Sequence, residues 1–463
     1  MGLGHGEARI ILSRIVEEII MNVLILGLGQ YAKGSGVSAA LYFAKQGDDV
    51  CVTDLKTEKE LAGNVKQLKK FKNVRFALGK HDLKDVRWAD LIVRGPRVRK
   101  DSPEMKEAAK RKIPTTSDIA LFLTRCPAPV VGITGTRGKS TTTTMTYEIV
   151  QSSKRWRKVW LGGNILVSPL TFLSQVKPED LVVLELSSFQ LEGTGDAGLS
   201  PQIAVWTNLM RDHQDAYPDM DSYAEAKAQI FRHQQPDDVV LLPSGKTFDE
   251  YADEAPGYVY RFGKKNSEEA KIVAKCKLKV PGEHNLRNAE IATAIALELG
   301  VTPTEIKKSL EAFKGLENRI QTIATIKGVD FVNDTTATTP DGTMAALNAL
   351  QKPKRMINVI FGGANKQLEF AEVAKFLAKR KDVRVFLLPG TAKEDIIKAF
   401  NKAKTHIEET ADLAHAVVRA QEESKKGDVV LLSPGCASFG FFKNEFDRGE
   451  QFVKTVKKLA KQK

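Results

Sequence analysis

The chain of 463 residues is 42% hydrophobic and 27% charged, a composition that predicts an ordinary globular protein of about two to four domains. It has no apolar run near the ~20 residues that a membrane helix needs, so no membrane partner is expected. Four separated cysteines without a CxxC pair argue against a disulfide framework or zinc site and favour a reducing cytoplasm. The net charge of +13 is spread along the chain, which favours small anionic substrates over nucleic acid.

The chain begins with a short stretch that differs from the rest. Residues 1–20 are partly amphipathic, but they lack the basic start, long apolar run and cleavage site of a secretory signal. We expect either an extension or a misassigned start, with Met21 as the true first residue.

Apolar strand-like runs alternate with helical patterns along most of the chain, which predicts an α/β fold with mostly parallel sheets. Strands are predicted at Val23–Leu26, Val50–Thr53, Leu91–Val93, 129–134, Leu181–Leu186, Ile203–Asn208, Val239–Leu242, Phe331–Asn333, Asn358–Phe361, Val383–Leu388 and Val429–Leu432. Helices are predicted at Val37–Gln46, Lys59–Lys70, Pro103–Lys112, Tyr223–His233, Leu286–Leu299 and Thr304–Phe313. The pattern separates three segments, at 22–115, 116–316 and 317–463.

A glycine-rich turn follows the first predicted strand. Residues 27–32 fit the pattern GxGxxA, with Gly29 as the second glycine. Asp54 ends the second strand, where an acidic residue binds a ribose in nucleotide-binding folds of this type. The residues alone leave three interpretations open: an NAD site, a nucleotide-sugar pocket or a structural turn.

A second glycine-rich loop predicts phosphate binding. It is preceded by a buried strand and followed by a helix-compatible stretch, which is the context that a P-loop needs. Glycines let backbone N–H groups approach phosphate oxygens, and the helix N-terminus adds partial positive charge. Lys139 would contact the terminal phosphates of the nucleotide and Ser140 would hold Mg²⁺. The loop consists of Gly135, Thr136, Arg137, Gly138, Lys139, Ser140 and Thr141.

Polar residues follow two further strands of the second segment. Glu185 lies at the end of one strongly apolar strand, and His213 follows the next. Ligands gather at the carboxyl ends of strands in open α/β sheets, where a carboxylate and an imidazole could hold a metal ion. For His213 alone, a surface histidine without a ligand would be the simpler interpretation.

Together these motifs resemble the Mur ligase family, which builds the peptide stem of bacterial cell-wall precursors. The resemblance covers nearly all of 22–463. It depends on the phosphate loop and on further motifs in a fixed order, at 185–191, 207–215, 282–288, 315–319, 333–334, 432–438 and 442–449.

The resemblance implies three domains: a Rossmann-like N-terminal domain for a UDP substrate (22–115), a central P-loop ATPase domain (116–316) and a Rossmann-like C-terminal domain for the amino acid (317–463). It implies that ATP phosphorylates the substrate carboxylate and that an amine then attacks the acyl phosphate. The best fit within the family is addition of D-glutamate to UDP-N-acetylmuramoyl-L-alanine by a monomeric cytoplasmic enzyme.

The resemblance also implies individual roles. Catalysis would depend on Lys139, Glu185, His213 and Lys227, with two Mg²⁺ ions, of which Ser140 and Glu185 hold one and His213 the other. Lys227 matches a lysine that is carbamylated in the family, which turns a cation into an anion that supports the metal site. ATP would contact Asn285, Arg319 and Asp334. Substrate-binding positions would be Gly29, Asp54, Asn164, Ser187, Thr338, Lys366 and Ser438.

The sequence departs from the family pattern at several positions. Arg137 replaces a common asparagine, Thr336 a lysine and Glu445 an aromatic residue, while Arg97 replaces the glycine of a tight turn. Losing a lysine and gaining a glutamate weakens attraction for a dicarboxylate. A related ligase that adds another amino acid, a folylpolyglutamate-type ligase and a P-loop protein without catalysis are therefore the alternatives.

Overall fold

The computed structural model describes residues 20–213, 216–365, 368–438 and 440–461. Strands and helices alternate through these ranges and form three α/β sheets, which confirms the predicted fold class. Most of the stretch 1–20, for which an extension or a misassigned start is expected, lies outside the described residues, as does Lys366. In the described ranges, no helix is long and apolar enough to cross a membrane.

Two compact units are distinguished by their internal contacts. The first comprises the described residues up to Cys276 together with Asn288–Leu310, and the second comprises Lys277–Arg287 together with the described residues from Glu311 onward. The first unit contains two sheets and the second unit contains one. The domain boundaries 22–115, 116–316 and 317–463 stay predictions.

The N-terminal sheet has the strand order β3-β2-β1-β4-β5, and all its neighbours are parallel. Its strands are β1 Asn22–Leu26, β2 Asp49–Asp54, β3 Val74–Leu78, β4 Leu91–Arg94 and β5 Thr115–Thr116. Its helices are α1 Ser35–Gln46, α2 Ala62–Leu68, α3 Leu83–Trp88 and α4 Pro103–Arg111. Because β1 lies between β2 and β4, a crevice is expected where the loops after β1 and β4 diverge.

The middle sheet is also parallel, in the order β11-β10-β9-β6-β8-β7. Its strands are β6 Val130–Thr134, β7 Val159–Gly163, β8 Leu181–Glu185, β9 Ile203–Trp206, β10 Val239–Pro243 and β11 Tyr258–Phe262. The helices are α5 Asp118–Arg125, α6 Lys139–Ser153, α7 Ser188–Asp196, α8 Met220–Ala228, α9 Asp249–Asp253, α10 Glu268–Val273, α11 Glu283–Glu298 and α12 Pro303–Ala312, with 3-10 turns at Pro169–Thr171, Leu173–Gln175 and Lys246–Phe248. One apolar cluster joins this sheet to the N-terminal sheet and includes Phe43, Phe122, Phe172 and Trp206.

The third sheet has the order β12-β13-β17-β14-β15-β16, in which only the β12–β13 pair is antiparallel. Its strands are β12 Gln321–Ile326, β13 Val329–Asn333, β14 Ile357–Phe361, β15 Val383–Leu387, β16 Ile407–Glu409 and β17 Val429–Leu432. Its helices are α13 Pro340–Leu350, α14 Ala371–Ala378, α15 Lys393–Lys402, α16 Leu413–Glu422 and α17 Glu445–Lys461. The loops after β13, β17 and β14 therefore leave the same edge of the sheet.

Two glycines in the helices beside the N-terminal sheet provide a matched test of packing. A Cβ on Gly36 of α1 would lie 2.1 Å from the carbonyl oxygen of Gly27, whereas a Cβ on Gly63 of α2 would meet nothing within 4 Å. We expect Gly36→Ala to destabilise the fold by about 1–3 kcal/mol through overpacking. Gly63→Ala should stabilise it by up to about 1 kcal/mol through helix propensity. Thermal unfolding measures both, and equal melting temperatures for the two variants would contradict the packing described for α1.

Candidate active site

The phosphate loop is held in shape by residues that follow the neighbouring strand β9. Asn208 Oδ1 accepts hydrogen bonds from the backbone N–H groups of Thr136 at 3.2 Å and Arg137 at 2.9 Å. Asn208 Nδ2 and Thr207 Oγ1 each donate to the carbonyl oxygen of Arg137 at 2.9 Å. A Cβ on Gly135 would lie 1.9 Å from Thr207 Oγ1, so only glycine fits there. Contacts with residues outside the motif therefore hold the loop in shape.

Two lysines share one backbone oxygen of the loop. Lys139 Nζ, at the start of α6, and Lys227 Nζ, on α8, each donate to the carbonyl oxygen of Gly135 at 2.9 Å. Lys139 Nζ also donates to the carbonyl oxygen of Thr136 at 3.0 Å. The two lysine side chains that the resemblance assigns to catalysis therefore meet at the backbone of the phosphate loop.

Lys227 is unusually buried for a lysine, with 1% of its surface exposed. Its Nζ also lies 4.4 Å from the centre of the Tyr223 ring. Burial lowers the pKa of Lys227 well below its usual value, and the positive charge of Lys139 lowers it further. The neutral amine, which is the nucleophilic form, is thereby favoured.

Glu185 ends β8 and is almost completely buried. Asn164 Nδ2 donates to Glu185 Oε1 at 2.7 Å, and the backbone N–H of Asn164 donates to the carbonyl oxygen of Glu185 at 2.8 Å. Glu185 Oε2 is buried and has no hydrogen-bond partner among the described residues. A buried carboxylate oxygen without a donor suits a hard cation such as Mg²⁺.

Asn164 and Ser187, both predicted to bind substrate, have structural partners of their own. Asn164 orients the carboxylate of Glu185. Ser187 is the N-cap of α7, where its Oγ accepts a hydrogen bond from the N–H of Gln190 at 3.3 Å and completes a capping box. Any contact of these side chains with substrate would be additional to these roles.

His213 follows β9 and lies among aromatic side chains. Its ring packs edge-on against Phe189, with centroids 5.1 Å apart, and lies 5.9 Å from Tyr223. Burial lowers the pKa of His213, and the positive charges of Arg97 and Lys139 lower it further, while Asp212 opposes them. The neutral imidazole, which is the metal-binding form, is favoured.

The acidic and imidazole groups alone do not form a metal site. Across the described ranges, no three His, Cys, Asp or Glu side chains converge in a way that could hold an ion. Glu185 and His213 would therefore need other ligands, such as the hydroxyl of Ser140 at the start of α6 or an anionic form of Lys227. The predicted set of metal ligands stays a prediction.

The N-terminal turn is fixed by Asp54 at the end of β2. Asp54 Oδ2 accepts a hydrogen bond from the N–H of Gly29 at 3.0 Å, and Oδ1 accepts one from the N–H of Lys56 at 2.9 Å. Asn64 Nδ2 donates to the carbonyl oxygen of Gly29 at 2.7 Å. Each carboxylate oxygen keeps a second lone pair, so Asp54 can hold the turn and still accept from a ribose hydroxyl.

In the second unit, the predicted ATP-binding residue Asp334 directly follows β13 and interacts electrostatically with Arg319. Asp334 is buried, and its carboxylate accepts hydrogen bonds from Ser433 Oγ at 2.8 Å and from the N–H of Ile320 at 3.2 Å. Burial raises the pKa of Asp334 to about 7, although its hydrogen bonds and the charge of Arg319 oppose the shift. Asn285 Nδ2 donates to the carbonyl oxygen of Pro281 at 2.7 Å.

The predicted amino-acid-binding residues lie on strand-end loops of the third sheet. Thr338 follows β13, and Ser438, which is buried, follows β17. An antiparallel bridge between Ala364 and Ala437 joins the loop after β14 to the loop after β17. Lys366, two residues beyond Ala364, lies outside the described residues.

Arg448 ties these loops together, a role that sequence reasoning missed. It lies fully buried on α17 and donates to Thr335 Oγ1 at 3.0 Å and to the carbonyl oxygens of Thr335 at 2.8 Å and Cys436 at 3.2 Å. Burial lowers the pKa of Arg448 to about 10. The available sequence signal for Arg448 was its Arg-Gly pair near the end of the chain. The corresponding signal for the contacts that clamp the phosphate loop was the pair Thr207-Asn208.

The chain matches three family profiles in order along its length. They are described as "Mur ligase MurD-like, N-terminal domain" at residues 21–117, "Mur ligase middle domain" at 133–296 and "Mur ligase, glutamate ligase domain" at 318–436. A protein of Roseiflexus sp. (strain RS-1) named UDP-N-acetylmuramoylalanine--D-glutamate ligase is 36% identical, over 94% of this chain and 98% of that protein.

The chain belongs to the Mur ligase family. A protein of Borreliella afzelii (strain PKo) with the same name is 34% identical, over 95% of this chain and 98% of that protein. The fold of this Mur ligase is similar to the crystal structure of UDP-N-acetylmuramate-alanine ligase MurC from Thermotoga maritima, with a TM-score of 0.61, 20% identity and coverage of 95% and 100%. Mur ligases are ATP-dependent enzymes that use Mg²⁺, so the predicted enzyme class is confirmed.

Asp334 gives this Mur ligase a predictable pH dependence. Its pKa rises from 3.8 to about 7 because of burial, so the folded state holds this proton to higher pH than the unfolded state and loses stability as pH rises through that range. Asp334→Asn removes the buried charge. We expect its melting temperature, relative to wild type, to be higher at about pH 8 than at about pH 5.

The matched control is Asp341→Asn, because Asp341 is an exposed acid in the first turn of α13. Thermal unfolding of the three proteins at both pH values is the measurement. A pH-independent difference between wild type and Asp334→Asn would contradict the protonation assigned to Asp334.

Proposed function

We propose that this protein ligates D-glutamate to UDP-N-acetylmuramoyl-L-alanine with conversion of ATP to ADP and phosphate, as a step of peptidoglycan precursor synthesis in the cytoplasm. The observation that carries the proposal is the convergence of Lys139 and Lys227 on the Gly135 carbonyl oxygen of the phosphate loop. Relatives that carry the name of this activity span nearly the whole chain. We further propose that the enzyme acts as a monomer.

The reaction joins two anionic molecules and therefore needs positive charge. A carboxylate oxygen of the substrate attacks the γ-phosphorus of ATP, and ADP leaves to give an acyl phosphate. The amine of the amino acid then attacks the acyl carbon, phosphate leaves with the bonding electrons, and the amine proton passes to solvent. The Lys139 ammonium, which lies on the carbonyl oxygens of Gly135 and Thr136, is placed to turn toward the phosphates once ATP is bound.

The residues around Glu185 fit the proposed magnesium sites. Ser140 and Glu185 would hold one ion and His213 the second, and the buried Glu185 Oε2 supports this assignment. Mg²⁺, when bound, neutralises phosphate charge and so favours attack by an anionic nucleophile. Asn164 keeps Glu185 oriented whether or not an ion is present, because it donates to the other carboxylate oxygen.

Carbamylation of Lys227 is the proposed completion of this site. The neutral amine of Lys227 would attack CO₂, forming a carbamate anion and releasing a proton. Burial favours the neutral amine, which supports the first half of this step. The resulting anion would place a negative charge beside the Lys139 ammonium, and the two groups would then attract each other.

The remaining assignments are proposals from the family resemblance. Gly29 and Asp54 would contact the UDP substrate. Asn285, Arg319 and Asp334 would contact ATP, and Thr338, Lys366 and Ser438 the amino acid. Thr336 donates its hydroxyl to the carbonyl oxygen of Asn318 at 2.9 Å and so supplies no cation in place of the family lysine. This observation keeps a different acceptor amino acid as the second candidate.

The direct test is phosphate release from ATP with UDP-N-acetylmuramoyl-L-alanine and a panel of amino acids, in the presence of Mg²⁺. The proposal expects release with D-glutamate and the corresponding amide product by mass spectrometry. Release with another amino acid alone would refute the acceptor assignment and leave the ligase class intact. No release with any acceptor would refute the ligase proposal for this chain.

Replacing Lys227 tests the proposed carbamate. Lys227→Ala should lower turnover by about 100-fold or more, because an anion beside the metal site is lost. Added formate or acetate should restore part of the rate by occupying the vacated volume. The matched control is Lys246→Ala, since Lys246 is an exposed lysine near the end of β10. Unchanged turnover in Lys227→Ala, or a loss that neither anion relieves, would argue against a carbamate.

A further inference from the structure

Arg97 lies in the loop after β4, beside the proposed nucleotide crevice. The chain leaves β4 with a hydrogen bond from the N–H of Gly95 to the carbonyl oxygen of Leu26 at 2.8 Å, so this loop starts next to the glycine-rich turn after β1. In an open α/β sheet, ligands bind outside the carboxyl ends of the strands where the strand order reverses. The side chain of Arg97 therefore begins at the edge where the UDP substrate is expected.

The same side chain extends to the middle sheet. Its guanidinium carbon lies 4.7 Å from the centre of the Phe189 ring, at the start of α7. Phe189 in turn packs edge-on against His213, with centroids 5.1 Å apart. Arg97 thus links the strand ends of the N-terminal sheet to the group that is proposed to hold a metal ion.

The arginines that flank Arg97 in the sequence have acidic partners. Arg94 lies 3.5 Å from Glu192, and Arg99 forms a two-point ion pair with Asp101 at 2.8 Å. Within the described ranges, Arg97 forms no ion pair and is exposed. Stacking on an aromatic face orients a guanidinium and leaves its N–H donors, which lie in its plane, available to an anion.

We propose that Arg97 is a further substrate-binding residue, which binds an anionic oxygen of the UDP substrate between the glycine-rich turn and the phosphate loop. The oxygen belongs to a phosphate or to the carboxylate that is to be activated. This inference depends on the proposed function. It adds to the family pattern, in which a glycine is usual at this position and no side chain can make such a contact.

The test compares Arg97→Gln, Arg97→Lys and the control Arg99→Gln, which removes an exposed cation two residues away. Dissociation constants are measured for UDP-N-acetylmuramoyl-L-alanine, UDP and ATP, together with KM and kcat. Arg97→Gln should weaken binding of the full substrate by about 10- to 100-fold, the loss of one charge-assisted hydrogen bond. Arg97→Lys should recover part of this affinity. Binding of ATP and the melting temperature should not change, and Arg99→Gln should resemble wild type.

The two sources of the anion give different results, and both support the proposal. An equal loss for UDP and for the full substrate assigns Arg97 to the diphosphate, whereas a loss for the full substrate alone assigns it to the carboxylate. Unchanged affinity of Arg97→Gln for both ligands would overturn the inference. So would an equal loss in the Gln and Lys variants with a lowered melting temperature, because Arg97 would then act only through Phe189. Absence of turnover in the wild type would instead refute the proposed function.

Discussion

Two lysine side chains point at one carbonyl oxygen, that of Gly135, and much of the site depends on this arrangement. Two ammonium groups on one oxygen repel each other, and burial of one of them adds a desolvation cost. Burial and the charge of Lys139 lower the pKa of Lys227 and so favour its neutral form, which reduces this repulsion. A neutral, buried amine next to a phosphate loop can react with CO₂, and an anion in that place would be attracted to Lys139 and to a metal ion. The unusual chemistry proposed for Lys227 therefore follows from an electrostatic conflict within the protein.

The parallel strands of the middle sheet bring these groups together. Strands β8, β6 and β9 are parallel neighbours, so Glu185, the phosphate loop and the Thr207-Asn208 clamp all emerge at one edge. Asn208 fixes the loop, and Asn164 fixes Glu185. These contacts hold donor and acceptor groups in position before any nucleotide arrives, which lowers the cost of ordering them during the reaction.

Sequence patterns predicted the inner strands of the sheets better than the edge strands. All interior strands of the three sheets were predicted, because each is a buried apolar run. The strands at the sheet edges, β3, β5, β7, β11, β12 and β16, were not predicted. Edge strands have one unpaired side and partial exposure, as in β11, where only Phe262 is buried, so their apolar signal is weak. β7 ends in two glycines, which are uncommon in strands and weaken its sequence signal.

The sequence likewise indicated some residues of the candidate site and gave no signal for others. The phosphate loop, Glu185 and His213 were proposed from the sequence because each lies at or after the carboxyl end of a recognisable strand. The Asn164–Glu185 bond, the position of Arg97 over Phe189 and the buried cation Arg448 join distant parts of the chain, and spacing contains no signal for them. The burial of Lys227 was equally invisible, because α8 shows no strong apolar face around it.

The central claim is that this site activates a carboxylate as an acyl phosphate. Its most direct test uses UDP-N-acetylmuramoyl-L-alanine with ¹⁸O in both carboxylate oxygens, together with ATP, Mg²⁺ and D-glutamate. One ¹⁸O atom should appear in the released phosphate and the other should stay in the amide, as measured by mass spectrometry of both products. Amide formation with unlabelled phosphate would contradict the account, because the carboxylate oxygen would then never have been bonded to phosphorus.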